Sequence, residues 1–353
     1  MRDEKMKLIH VVRRYGPVGG MERYVWEVTR EVRDLGHEVL VICEVCMAEK
    51  PEGITVVELG ACAPRPRWLA LLRFGKHVAT WLAQNPQPGS LIHSNERLSR
   101  HDVTTFHGPP FANIFDKPWW KWLSLRVAMQ LFLERRELRN AKAIIPNSQI
   151  IKEQLAHYYP EFAHKLTEPI LPGVAVGVLR EPRAVPNDGG VIGFVGQEWK
   201  RKGLSFAVEI VTQLRRTRPH LKFRVIGPAV ADVQQLFNDP ANDQLLGWSD
   251  AAHYKEFDVL LHPARAEPYG MVISEAMAAR VPVVISDVCG AAPQVNAAAG
   301  SVLPLTASVQ QWAAAVEAQL SRTEPPPVFV RGWDLVARES VAVYTKIDLR
   351  VAR

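Results

Sequence analysis

Glu267 and Glu275 stand eight residues apart in the run His262-Pro263-Ala264-Arg265-Ala266-Glu267-Pro268-Tyr269-Gly270-Met271-Val272-Ile273-Ser274-Glu275-Ala276-Met277. Ionised carboxylates accept hydrogen bonds from hydroxyl groups. Between the two lie a Pro-Tyr-Gly turn and the beginning of a helix-forming run. A helix start offers unpaired amides and a positive dipole end to an anion. The apolar run Val259-Leu260-Leu261 comes just before. The order is therefore strand, tight loop, helix start, which is where open α/β sheets bind ligands. A ligand with phosphate in the middle and hydroxyl-bearing rings at either end fits this pattern, and a nucleotide sugar is one.

Gly196-Gln197-Glu198-Trp199-Lys200-Arg201-Lys202-Gly203 also lies between a strand-like and a helical run. Three consecutive cations at a helix start oppose the positive end of the dipole, so an anion is expected to compensate them. A diphosphate would do so, with Arg201 as a planar fork and Lys202 as a point charge; a solvated basic turn is the plainer alternative. The loop Gly16-Pro17-Val18-Gly19-Gly20 could bring backbone close to a phosphate, but its spacing matches neither a dinucleotide fingerprint nor a P-loop. His107 follows Val103-Thr104-Thr105-Phe106, at the strand end that faces a ligand crevice. His93, His101 and His107 suggest a metal only by their residue type, since nothing in the sequence fixes their mutual geometry. No Asp-x-Asp pair occurs in the chain, so the carboxylate clamp of a diphosphate-bound divalent ion is missing. Metal-free electrostatics is expected, with no metal ligand and no cofactor beyond the donor substrate.

These groups need a scaffold, and the chain is long enough for two domains: 353 residues, 47% hydrophobic and 23% charged. Strand-like runs at 8–12, 37–42, 54–59, 90–93, 103–106 and 143–145 alternate with helical spacing, as at Met21, Tyr24, Val25, Val28, Val32 and Leu35. Residues 169–190 carry proline and glycine without periodicity. The pattern then restarts at Val191-Ile192-Gly193-Phe194-Val195, with a helix over 204–216 and strands at 223–227, 259–261 and 283–286. Alternation of this kind predicts an α/β fold of two Rossmann-like domains with parallel sheets. Cys43-Glu44-Val45-Cys46 lacks both a following helix and a second ligand pair, so ordinary strand-end thiols are expected. The first residues run into a strand-length apolar segment, and no 18-residue apolar stretch follows anywhere, so neither a secretory signal nor a transmembrane helix is expected. The chain reads as cytosolic and reduced.

Taken together these stretches resemble the retaining glycosyltransferases of family 4, of GT-B fold, and among them the hexosyltransferases of bacterial lipopolysaccharide core. The likeness runs through Gly19-Gly20 with Glu22, Gly36-His37-Glu38-Val39, His107-Gly108, Asn147-Ser148, Pro172-Gly173-Val174, Arg201-Lys202-Gly203, the Glu267/Glu275 pair and a closing helix at Trp333. It implies two domains facing each other across a deep cleft. Residues 1–172 would bind the acceptor, 173–190 would link, 191–333 would bind the nucleotide sugar, and a helix over 334–353 would pack back on the first domain. It further implies that Glu267 contacts the donor sugar, that Glu275 holds the ribose, and that His107 lies beside the sugar. Arg201 and Lys202 would hold the diphosphate, with amides near Gly19, Gly20, Gly270, Met271 and Val272. Where many members carry arginine directly after the glycine that ends the first strand of the second domain, this chain has Gln197, and Arg201 is the expected substitute.

The net charge of +6 is uneven: residues 64–152 hold 14 Lys or Arg and 5 Asp or Glu. Such a segment points to an anionic partner. Lys117-Pro118-Trp119-Trp120-Lys121-Trp122-Leu123-Ser124-Leu125-Arg126-Val127 interleaves cations with three tryptophans, and Pro64 to Arg73 is a second such stretch. On an amphipathic helix this composition suits the headgroup boundary of an anionic bilayer; the alternative is that the aromatics are core. The expected activity is transfer of a hexose, glucose from UDP-glucose, to a membrane glycolipid, with no role for nucleic acid. The protein would sit at the inner face of the cytoplasmic membrane. A nucleotide-sugar epimerase of the same fold and a non-catalytic nucleotide-sugar-binding scaffold are the competing readings.

Overall fold

The computed structural model describes residues 5–249 and 253–351, with side chains described to residue 347. The chain divides into two compact units, Met1–Gly173 with Gly332–Arg353, and Val174–Arg331.

The first unit is built on strands β1 (Lys7–Val11), β3 (Glu38–Cys43), β5 (Ile54–Glu58), β6 (Ser90–Ser94), β7 (Val103–Phe106) and β8 (Ala143–Pro146). They form one parallel sheet in the order β5-β3-β1-β6-β7-β8. A small ribbon of β2 (Arg14–Tyr15) and β4 (Val45–Cys46) lies apart from it. Helix α1 (Gly20–Asp34) buries Tyr24, Val25, Val28 and Val32, a stripe with three- and four-residue steps, and Gly36 in the left-handed region ends the turn that follows. Helices α2 (Arg67–Gln84), α3 (Leu125–Asn140) and α4 (Gln149–Tyr158) complete the layers. Strands β7 and β8 are buried on both faces, as parallel sheets require, whereas the edge strand β5 is half-exposed.

The second unit repeats the plan with β9 (Val191–Val195), β10 (Lys222–Ile226), β11 (Asp243–Gly247), β12 (Val259–His262), β13 (Val283–Ser286) and β14 (Gly300–Leu303), ordered β11-β10-β9-β12-β13-β14. Its helices are α5 (Leu204–Leu214), the short α6 (Val230–Val233), α7 (Met271–Ala278) and α8 (Val309–Leu320). Phe194, Phe223, Leu261, Ile210 and Trp312 are fully buried in its core. Both sheets therefore reverse strand order once, between β1 and β6 and between β9 and β12. The C-terminal ends of those strand pairs are the switch points at which such sheets take ligands.

Of the stretch 173–190, expected to link the domains, Gly173 closes the first unit and the remainder belongs to the second. Residues 174–190 form no helix or strand, yet Arg180 and Arg183 donate to the buried Asp258 at 2.8 and 2.9 Å. The closing helix α9 (Trp333–Val351) lies against α1 within the first unit. Trp333 meets Tyr24 edge-on at 5.7 Å, and the Tyr344 hydroxyl lies 2.6 Å from His93 Nδ1.

The Trp119–Trp122 segment is not an amphipathic helix. Pro118 leads into a single 3-10 turn at Trp119–Lys121, and Ser124 caps α3 by accepting from the Val127 amide at 3.2 Å. The tryptophans are not core either: Trp119 and Trp120 are 62% and 61% exposed. In the Pro64–Arg73 stretch the opposite holds, since α2 begins at Arg67 and turns Ala70 and Leu71 into the core. The four cysteines are free thiols, and burial pushes Cys43 up to about 12.

Candidate active site

In the second unit two loops meet at the β9/β12 switch point. One runs from Gly196 to Gly203 between β9 and α5; the other runs from Pro263 to Gly270 between β12 and α7. They are locked by backbone. The Arg265 amide donates to the Arg201 carbonyl at 2.8 Å, and a Cβ on Gly203 would lie 2.1 Å from the Pro263 carbonyl. The second loop is held from its other side, where Gly290 and Ala291 amides donate to the carbonyls of Glu267 and Tyr269, both at 2.9 Å. The Tyr269 ring is buried, and its hydroxyl pairs with Ser274 at 2.7 Å.

This frame gathers two of the expected residues, Arg201 and Lys202, together with His262 around the carboxylate of Glu267. Glu267 is 7% exposed. Its Oε2 lies 3.1 Å from Lys202 Nζ and 3.2 Å from His262 Nε2, and its Oε1 lies 3.4 Å from Arg201 Nη1. Burial works against ionisation. The hydrogen bond from His262 and the charges of Lys202 and Arg201 outweigh it and hold the carboxyl well below the ordinary range. Burial lowers His262 as well, so its imidazole is neutral and donates through Nε2–H. Lys202 reaches Glu267 by running across Gly196, whose φ is +144° and whose added Cβ would meet Lys202 Cδ at 2.3 Å. Only glycine leaves that path open.

The anion that compensates Arg201 and Lys202 is thus supplied by the protein. Arg201 also donates to the Glu198 carboxylate at 3.0 and 2.5 Å, and to the Ala266 carbonyl. Beyond the turn, Gly270 in the left-handed region precedes α7, which has no side-chain cap. The amides of Met271 and Val272 carry the positive end of that helix. One turn later Glu275 is half-buried and accepts from the Tyr254 hydroxyl at 2.6 Å.

The first unit holds the remaining expected residues. His107, at the end of β7, lies with Nε2 2.8 Å from Asn95 Oδ1, and its carbonyl accepts from Asn147 Nδ2 at 3.2 Å. Burial pushes the imidazole down to about 3, so it is neutral and donates to Asn95. Asn95 and Asn147 end the neighbouring strands β6 and β8. Gly19, with φ +71°, precedes α1, and a Cβ there would lie 2.7 Å from Glu22 Oε2. Glu22 is paired with Arg14, whose Nε donates at 2.9 Å. Beside Gly19 and Gly20, too, the anion present is the protein's own. His93 and His101 do not join His107: His93 Nε2 pairs with Thr105 at 2.7 Å, and His101 Nε2 with the Glu137 carbonyl at 3.0 Å. Among the described residues no group of three or more His, Cys, Asp or Glu is assembled to hold a metal ion.

Residue type and spacing alone assign His262 no role. The rule that picked out His107, a histidine at the C-terminal end of a strand, applies equally to it. Nothing in the residue order shows that Asn95 holds His107, because the pair meets only through strand order.

Comparison with known proteins agrees with this architecture. The model of Glycosyltransferase Family 4 matches residues 18–176, and that of Glycosyl transferases group 1 matches residues 189–322. A GDP-mannose-dependent alpha-mannosyltransferase of Mycolicibacterium smegmatis is 24% identical over 77% of each chain. Among solved structures, WaaG, a glycosyltransferase involved in lipopolysaccharide biosynthesis, superposes with a TM-score of 0.76 at 18% identity, over 97% of this chain and 99% of its own. HepE of Anabaena, solved in complex with UDP-glucose, superposes with a TM-score of 0.69 at 17% identity, over 98% and 99%. With both halves matched by family models and both sheets in Rossmann order, the chain belongs to the glycosyltransferases of family 4 type, with the GT-B fold.

Proposed function

We propose that this glycosyltransferase is a retaining hexosyltransferase that moves glucose from UDP-glucose to a phosphorylated membrane glycolipid of the lipopolysaccharide-core kind. The observation that carries the reading is the cluster of Glu267, Lys202, Arg201 and His262 at the β9/β12 switch point, followed by the uncapped start of α7. In this reading the diphosphate takes Lys202 and Arg201, which now share Glu267, together with the amides of Met271 and Val272. Glu275 accepts from ribose hydroxyls, and Glu267 accepts from a hydroxyl of the transferred sugar. The HepE complex favours UDP-glucose, whereas the mannosyltransferase relative makes GDP-mannose the donor to test beside it.

The chemistry asks little of a general base. The acceptor oxygen bonds to the anomeric carbon while the bond from that carbon to the phosphate oxygen breaks. The electron pair leaves on the phosphate, which takes the proton of the acceptor hydroxyl from the same face. Lys202 and Arg201 stabilise the charge that develops there, and positioning supplies much of the remainder. No metal takes part in this scheme.

The membrane side of the reading rests on the first unit. Trp119, Trp120, Leu123, Leu125 and Phe132 are all more than half exposed, and Lys117, Lys121 and Arg126 are exposed among them. Exposed aromatics interleaved with cations suit the headgroup region of an anionic bilayer, here the inner face of the cytoplasmic membrane. Among the described residues no helix is long and apolar enough to cross a membrane. The test is incubation with radiolabelled UDP-glucose or GDP-mannose, with and without a lipopolysaccharide-core glycolipid extract. Label passing to the glycolipid with retained anomeric configuration is the expected result. Hydrolysis or epimerisation without transfer would remove the proposal.

A further inference from the structure

His262 is fully buried at the end of β12, paired in register with Ile285 of β13, and its ring faces Phe194 at an interplanar angle of 29° with 6.2 Å between centroids. Its hydrogen-bonding is one-sided. Nε2 meets Glu267 at 3.2 Å, while Nδ1 is buried with no hydrogen-bond partner. An unmet buried nitrogen costs free energy and calls for an explanation. Packing does not provide one. Val259, Leu260 and Leu261 fill the rest of the strand, and an apolar side chain would fill this position with no polar atom stranded. The one thing histidine supplies here is the Nε2–H aimed at Glu267.

We infer that His262 is a positioning residue for sugar transfer, holding the Glu267 carboxylate in register once the donor's diphosphate has drawn Lys202 and Arg201 away. This rests on the reading that Glu267 meets the transferred sugar. Glu267 has three donors, and two of them are cations for which a diphosphate would compete. The third carries no net charge, sits on a rigid strand, and has little to gain from a phosphate. It keeps Oε2 fixed and leaves Oε1 to accept from a sugar hydroxyl. A carboxylate free to swing would lose that alignment, and misplacement by about 1 Å costs on the order of 100-fold in rate.

Three replacements separate positioning from packing. The amide of His262→Gln reaches as far as the imidazole Nε2. That of His262→Asn falls short, at the place of Nδ1, and His262→Leu fills the volume with no donor. UDP affinity by calorimetry should stay within about threefold of wild type in all three. Turnover with the donor and glycolipid that wild type uses should fall roughly 10- to 100-fold in the Asn and Leu proteins, and Gln should bring it back to within about fivefold. Wild-type turnover in the Leu or Asn protein, or an equal loss in all three, would overturn the inference. A second readout needs no activity: nitrogen-15 spectra of labelled histidine should show His262 as the neutral Nε2–H tautomer at pH 7. An imidazolium or an Nδ1–H tautomer would sink the inference as well. If wild type transfers no sugar from any donor, the functional reading fails, while the spectrum still reports on the His262 hydrogen bond.

Discussion

Replacing Glu267 by Gln changes one charge in a site where three donors converge, and its consequences can be worked through. At 3.1 Å from Lys202 and 3.4 Å from Arg201, each ion pair is worth roughly 5 kcal/mol of gross attraction at an effective dielectric of about 20. Desolvation of a carboxylate only 7% exposed offsets most of this. Removing one partner of a buried pair costs about 3–5 kcal/mol. Arg201 keeps water contact at 32% side-chain exposure and the amide still accepts, so about 2–3 kcal/mol is expected here. For a unit of this size that lowers the melting temperature by roughly 5–10 °C. The carboxyl is held below its ordinary range in the folded protein, so its contribution is present above the unfolded value and is lost as pH falls through the folded one. Wild type should therefore lose stability on acidification more steeply than the Gln protein.

Binding should move the other way. A phosphate taken up by Lys202 and Arg201 at a separation of about 6 Å from Glu267 would be repelled by roughly 3 kcal/mol per unit charge at the same dielectric. Solvent screening leaves about half, so UDP should bind the Gln protein about tenfold more tightly. UDP should also raise the melting temperature of the Gln protein by more than it raises that of wild type. Turnover should fall about 100-fold, which is roughly 2.7 kcal/mol of transition-state stabilisation. Calorimetry with UDP, melting curves with and without it, and initial rates of transfer complete the test. Near-normal turnover would remove Glu267 from the sugar. A tenfold weaker UDP affinity would show that the carboxylate holds the cations in place and does not compete for them.

Lys202→Ala should weaken UDP binding by about 1.5–3 kcal/mol, the scale of a charge-assisted hydrogen bond. Gly196→Ala should do much the same through the Cβ set 2.3 Å from Lys202 Cδ; calorimetry showing wild-type affinity in both would contradict the placement. EDTA should leave transfer intact, and activity lost in chelator and restored by a divalent ion would refute the metal-free scheme. Burial pushes Glu137 up to about 8, against Arg97 and a hydrogen bond from Thr104, and its Oε2 has no partner. A raised carboxyl favours the fold below the unfolded value of about 4.3 and loses that contribution as pH rises through 8. Glu137→Gln should therefore flatten the fall in melting temperature between pH 5 and 9, and parallel curves would count against it. Trp119 and Trp120, both exposed, should when changed together to Ala release the protein from phosphatidylglycerol vesicles in co-sedimentation while moving the melting temperature by less than about 3 °C. A large fall in melting temperature would mean that the rings support the fold.

Both sheets were legible where strands are buried on both faces. Val103–Phe106 and Val283–Ser286 coincide with their apolar runs, and the helix from Gly20 follows the stripe of Tyr24, Val25, Val28 and Val32. The edge strands Asp243–Gly247 and Gly300–Leu303 carry no clear sequence signal because each has one partner and a half-exposed surface, so neither needs a continuous apolar run. Glu267, Glu275, Arg201 and Lys202 stood out as charges placed beside turns and helix starts. What makes Glu267 a centre lies in contacts across the sheet: the path of Lys202 over Gly196, the return of Arg201 to Glu198, and His262 below. None of these follows from residue order, because strand pairing decides which loop ends meet. The tryptophan segment misled in form, since the prolines at 109, 110 and 118 favour short turns over a continuous helix.

The two units share a device that residue order alone does not reveal. At each glycine loop expected to receive phosphate, a carboxylate of the protein already stands: Glu22 beside Gly19, paired with Arg14, and Glu267 among Arg201, Lys202 and His262. A cationic loop left uncovered would bind any phosphate in solution. A carboxylate in place neutralises the cations, keeps them oriented, and imposes a repulsion on every incoming anion. For a bare nucleoside diphosphate that repulsion is uncompensated. If Glu267 meets the transferred sugar as proposed, a complete sugar donor would bring a hydroxyl to donate to it, turning the repelling group into an acceptor that is satisfied. In the proposed reading the same carboxylate would serve two ends: it would weaken product binding after the sugar has left and favour the intact donor over free phosphate. Discrimination of this kind needs the carboxylate to stay fixed while its cationic partners change, and a neutral histidine on a buried strand meets that need.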